Sequence, residues 1–62
     1  MSKTRRINET LLTIADVARR CQVSIKTVRR WINSGELPAA KLGAQWRIRP
    51  RDIELFITDR LQ

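Results

Sequence analysis

The segment Ser24-Ile25-Lys26-Thr27-Val28-Arg29-Arg30-Trp31-Ile32-Asn33-Ser34-Gly35 constrains this chain most, because its apolar and cationic residues recur at a helical period. At about 100° per residue, Ile25, Val28 and Ile32 fall on one face, while Lys26, Arg30 and Asn33 fall opposite, flanked by Thr27 and Arg29. Ser24 is a suitable N-cap, Gly35 stands where a left-handed residue ends a helix, and Pro38 prevents a restart. Lys26 and Arg30 are like charges four residues apart, an arrangement that costs an isolated helix about 0.2 to 0.5 kcal/mol. A polyanion laid along that face turns the same two charges into an attraction.

At 62 residues the chain makes one domain, and a domain of that size buries only about 60% of the surface its unfolded form exposes. A large catalytic cleft is not expected. Thirteen Lys and Arg against six Asp and Glu give a net charge of +7, which implies an anionic partner, with nucleic acid ahead of a membrane surface. A solvated basic surface with no partner is the alternative. Cys21 is the single cysteine and there is no histidine, so neither an internal disulfide nor a zinc site of ordinary ligand type can be built, and no cofactor is expected. Arg5-Arg6 is followed by Ile7-Asn8-Glu9-Thr10 and not by an apolar run; no signal peptide or membrane span is read, and a cytoplasmic, nucleoid-associated protein fits best.

Residues 1–10 lack apolar periodicity and read as a flexible basic arm; residues 11–62 read as the folded domain. Thr13 caps a first helix, with Asp16 three residues on as capping-box partner and Leu12 placed to staple against Val17. That helix should run to about Cys21 on an apolar face of Ile14, Val17, Ala18 and Cys21, with Arg19 and Arg20 pointing away. After the turn Cys21-Gln22-Val23, Ser24 caps the second helix and Val23 can staple against Val28. Two capped helices joined this tightly read as helix-turn-helix. Ala40-Lys41-Leu42 and Gln45-Trp46-Arg47-Ile48 alternate around Gly43-Ala44, predicting a hairpin with Leu42, Trp46 and Ile48 inward and Lys41, Gln45 and Arg47 outward. Pro50 and Asp52 open a third helix whose apolar face is Ile53, Phe56, Ile57 and Leu61; Leu55 lies off that face. The expected fold is mainly α with a small β-hairpin, a winged helix-turn-helix.

The polar face of the second helix is made of residue types that read bases and phosphates. Arg or Lys can pair with guanine O6 and N7, Asn with adenine, and Thr can offer a methyl to thymine or a hydroxyl to phosphate. Lys26, Thr27 and Arg30 lie near the helix N-terminus, the end that enters a major groove, and are the best base readers. Ser24 and its neighbouring N–H groups can also meet a phosphate. Lys41 and Arg47 can straddle a phosphate or enter a minor groove. Trp31 is expected to pack against the wing, and Trp46 to join the core. Catalysis finds no support in a nucleophile with a base or a glycine-rich loop, and Asp52 and Glu54 are explained by the positive end of the third helix.

Taken together, these residues resemble the excisionase-type, MerR-like winged helix-turn-helix family over about Leu12 to Leu61. The resemblance is carried in order by Leu12-Thr13 with Asp16-Val17-Ala18, Val23-Ser24 with Thr27-Val28 and Trp31-Ile32, Gly35-Glu36-Leu37-Pro38-Ala39, Gly43 with Trp46-Arg47-Ile48, and Asp52-Ile53 with Phe56-Ile57. It implies DNA contacts from Ser24, Lys26, Thr27, Arg29 and Arg30 on the second helix and from Gln45 and Arg47 on the wing. The chain departs from the family at Gln22, where glycine is usual, and at the wing tip Gly43-Ala44-Gln45, where arginine is frequent. The resemblance further implies a non-enzymatic double-stranded DNA-binding protein, acting as a recombination directionality factor that bends DNA for a site-specific recombinase. A transcription regulator using the same contacts is the alternative, and an RNA-binding or acidic-partner module a more distant one. No ligand-sensing or dimerisation domain is read, and cooperative self-association on DNA, through Leu55, is expected of so small a module.

Overall fold

The computed structural model describes residues 10–61. Its elements run α1 (Ile14–Cys21), α2 (Ile25–Asn33), β1 (Ala40–Leu42), β2 (Gln45–Arg47) and α3 (Pro50–Arg60), the mainly α arrangement with a two-stranded wing that the sequence predicts. The arm expected over residues 1–10 lies, except for Thr10, outside the described residues.

The helix ends are set by local chemistry. Thr13 Oγ1 accepts the Asp16 N–H at 3.0 Å while Asp16 Oδ2 accepts the Thr13 N–H at 3.0 Å, a complete capping box. α1 closes at Gln22, which is left-handed (φ 58°, ψ 46°). Its N–H reaches Arg19 O at 3.2 Å and the Val23 N–H reaches Ala18 O at 3.0 Å, so the last carbonyls are satisfied within a single turn. Ser24 Oγ then accepts the Thr27 N–H at 3.1 Å to start α2. α2 ends by the same device at Gly35 (φ 84°), with Gly35 N–H to Ile32 O at 3.1 Å and Glu36 N–H to Trp31 O at 3.0 Å. Glycine adopts this conformation freely; a residue with a Cβ, such as Gln22, costs about 1 kcal/mol there.

A single core joins the elements. Val17, Val28, Leu37, Ile48 and Ile53 are fully buried, with Ala18, Ile32 and Phe56 nearly so. Leu37, in the α2 to β1 connection, is a core residue that helical periodicity did not reveal. Leu12 and Ile48 exchange two backbone hydrogen bonds of 2.8 Å as an isolated antiparallel bridge, tying the wing to the segment before α1.

Four expectations are corrected. The register pairs Lys41 with Trp46 and Leu42 with Gln45, and directly opposed residues share a face of the ribbon. Lys41 therefore lies with Trp46 and Leu42 is exposed beside Gln45, the reverse of the predicted phase of β1. Trp31 packs against Phe56 of α3, ring centroids 4.6 Å apart and planes tilted by 47°, and not against the wing. Ile25 is 47% exposed, because at the first position of α2 the Cα–Cβ bond tilts toward the N-terminus and carries the side chain past the core. Leu61, eight residues beyond Ile53, has drifted about 80° around the helix axis and is exposed at the end of α3.

Candidate nucleic-acid interface

Between Asp16 and Asp52 the sequence holds one acid, Glu36, so α2 and the wing contain no carboxylate. Four of the acids elsewhere are matched to other arginines. Arg19 pairs with Asp16 at 2.8 Å, Arg49 with Asp52 at 2.8 Å, Arg20 of α1 with Glu54 of α3, and Arg60 with Glu36. Exposed pairs of this kind add little stability. They occupy arginines of α1, α3 and the flanking turns, whereas Lys26, Arg29, Arg30 and Lys41, like Arg47 and Arg51, form no ion pair with any described residue.

Two of these carboxylates are shifted by their neighbours. The Thr13 backbone N–H, then the Thr13 hydroxyl, hold Asp16 below the ordinary carboxylate range, with weaker help from Arg19 and Arg47. Glu36 is lowered first by the Ser34 hydroxyl, which donates at 2.7 Å, then by Arg60 and more weakly by Arg30 of α2.

The predicted contact residues fall into two sets. On the outer face of α2, Lys26, Arg30 and Asn33 are exposed. Ser24 and Thr27 stand at its N-terminus, where their hydroxyls lie 2.9 Å apart in the cap. The second set lines a groove of about 420 Å³ between the starts of α1 and α2 and the wing, where Arg29, Lys41, Gln45 and Arg47 meet Ile25 and Trp46. Lys41 Nζ sits 5.6 Å from the Trp46 ring centroid. Arg47 is half-buried and donates to Trp46 O at 2.9 Å and to Gln45 Oε1. Its guanidinium is thus held against the hairpin and does not extend freely from it.

Ile25 is the residue of this surface that the pattern assigned to the core. Its signal was its position as the first residue of the helix. Among the described residues no group of three or more His, Cys, Asp or Glu could hold a metal ion. No described helix is long and apolar enough to cross a membrane.

Two proteins of Mycobacterium tuberculosis, from different strains and both named as candidate DNA-binding proteins, are each 42% identical to this chain over 43 residues. The alignment covers 69% of this chain and 55% of each relative, so the chain spans about half the length of the curated relatives it matches. No solved structure matches. Residues 11–61, α1 through α3 with the wing between, match the Helix-turn-helix domain family, and the chain belongs to that family.

Proposed function

We propose that this chain binds duplex DNA sequence-specifically, with α2 in the major groove and the wing against the adjacent backbone or minor groove. The sorting of charge carries this reading: four carboxylates pair with arginines of α1, α3 and the flanking turns, while α2 keeps three cations, Lys26, Arg29 and Arg30, that form no ion pair with any described residue. Lys26 and Arg30 read base edges, with Thr27 and Asn33 beside them; Ser24 and Arg29 meet phosphate; Lys41, Gln45 and Arg47 form the wing contact. The DNA-binding names of the two relatives support the same partner.

The role is that of an excisionase-like accessory factor for a site-specific recombinase, and adjacent copies bind cooperatively. Leu55, 60% exposed on α3, supplies the contact between copies. Titration of a selected duplex and a scrambled duplex over a range of salt tests the binding. The expectation is a steep salt dependence on both, with tighter binding to the selected site. Equal affinity for the two duplexes, or preference for structured RNA at equal salt, overturns it. Footprinting on an attachment site against a promoter separates recombination from transcriptional control, and Leu55→Glu should abolish steep occupancy of tandem sites while single-site affinity stays nearly unchanged.

A further inference from the structure

Ile25 stands apart from the other apolar residues of α2. Val28 and Ile32, three and seven positions on, are buried in the core, whereas Ile25 is 47% exposed. It lines the groove at the start of α2 together with Arg29, Lys41, Gln45 and Trp46, and it precedes the exposed Lys26. A β-branched side chain is stiff at χ1, so little rotamer freedom remains to be lost on contact. Cations on either side draw in a polyanion and place the apolar group against whatever lies between phosphates. In a major groove the apolar feature available to it is the C5-methyl group of thymine.

We infer that Ile25 is a specificity-determining residue that contacts a thymine methyl group in the DNA major groove. This rests on the proposed insertion of α2 into that groove. The contact distinguishes thymine from cytosine at one position of the site without a hydrogen bond, beside the polar readout by Lys26 and Arg30.

Replacing each thymine of the selected duplex in turn by deoxyuridine removes only the methyl group, and anisotropy titration reads the result. With the wild-type chain, one position per bound copy should lose about fourfold in affinity, the worth of burying one methyl group. With Ile25→Ala, thymine and deoxyuridine should bind equally at that position, while the effects of all other replacements are retained. Ile25→Val, which keeps the branch and shortens the side chain, should show a reduced methyl effect. Thermal unfolding of both variants should match the wild type, as befits an exposed side chain. A full methyl effect surviving in Ile25→Ala or Ile25→Val, or no methyl-sensitive thymine in the wild-type titration, overturns the inference while leaving DNA binding intact. Absence of saturable duplex binding by the wild-type chain removes the underlying reading and the inference together.

Discussion

The helix-turn-helix corner and the wing flank the same groove but are built on different principles. In the corner every helix end is closed locally: Thr13 with Asp16, Gln22, Ser24 with Thr27, and Gly35 each satisfy backbone groups within one turn. Val17 and Val28 are fully buried between the two helices. The wing consists of two three-residue strands joined by Gly43-Ala44, exposed or half-buried along their length. It is anchored through Ile48 and its bridge to Leu12. A stiff mount suits side chains that must meet base edges in register; a light hairpin, held by that bridge and by Trp46 against the core, suits charge that follows a backbone.

The largest effect should come from the core under the corner. Ile32→Ala removes most of a side chain that is 9% exposed and should cost about 2 to 5 kcal/mol, lowering the melting temperature by about 4 to 8 °C per kcal/mol. A native-like melt would break the contrast by showing that the corner is loosely packed. On DNA, Lys26→Ala and Arg30→Ala should each lose about 1 to 3 kcal/mol on the selected site and flatten sequence preference. Arg47→Ala should weaken all duplexes similarly and make the salt slope shallower by about one unit. If all three variants show equal losses on selected and scrambled DNA, corner and wing both contact only phosphate.

Smaller changes sharpen the picture. Ser24→Ala should destabilise by about 1 kcal/mol through loss of the α2 cap, read by denaturant unfolding. In acid the two regions should also differ. Asp16 has its folded pKa lowered, so its contribution is fully present above about pH 4 and is lost as pH falls through the folded value. Asp16→Asn should therefore flatten the acid limb of stability against pH, whereas the wing has no carboxylate to titrate. The smallest effect is expected at the wing tip, where Leu42→Ser, at a site 53% exposed, should stay within about 0.5 kcal/mol. A larger loss would mean that the hairpin is packed more firmly than its exposure indicates.

What could be read from the sequence was mostly what neighbouring residues decide. Thr13, Ser24, Gly35 and Pro50 mark helix ends because capping acts over one turn, and each stands where the structure has it. The phase of β1 was missed because alternation alone allows either face. Counting across the two-residue loop would have paired Leu42 with Gln45 and placed both on one side. Trp31 depends on how α3 returns over α2, and Leu37 lies in a connection with no periodicity to mark it; no local pattern encodes either. For the candidate site, the cationic face of α2 was legible from periodicity, and Ile25 was not, because a helical wheel ignores the tilt of Cβ at a helix end.

The bridge between Leu12 and Ile48 also sets an order of events in time. Those residues stand 36 positions apart, so bringing them together carries a chain-closure entropy of about 3 kcal/mol beyond a constant, whereas α1 and α2 meet across a three-residue turn. The helical corner can therefore nucleate early, and hairpin docking belongs to the late part of the folding reaction. The reverse path opens at the same seam. Fast amide exchange at Leu12 and Ile48, ahead of exchange at Val17 and Val28, would mark a partly open species in which α2 is still presented intact while the wing swings free.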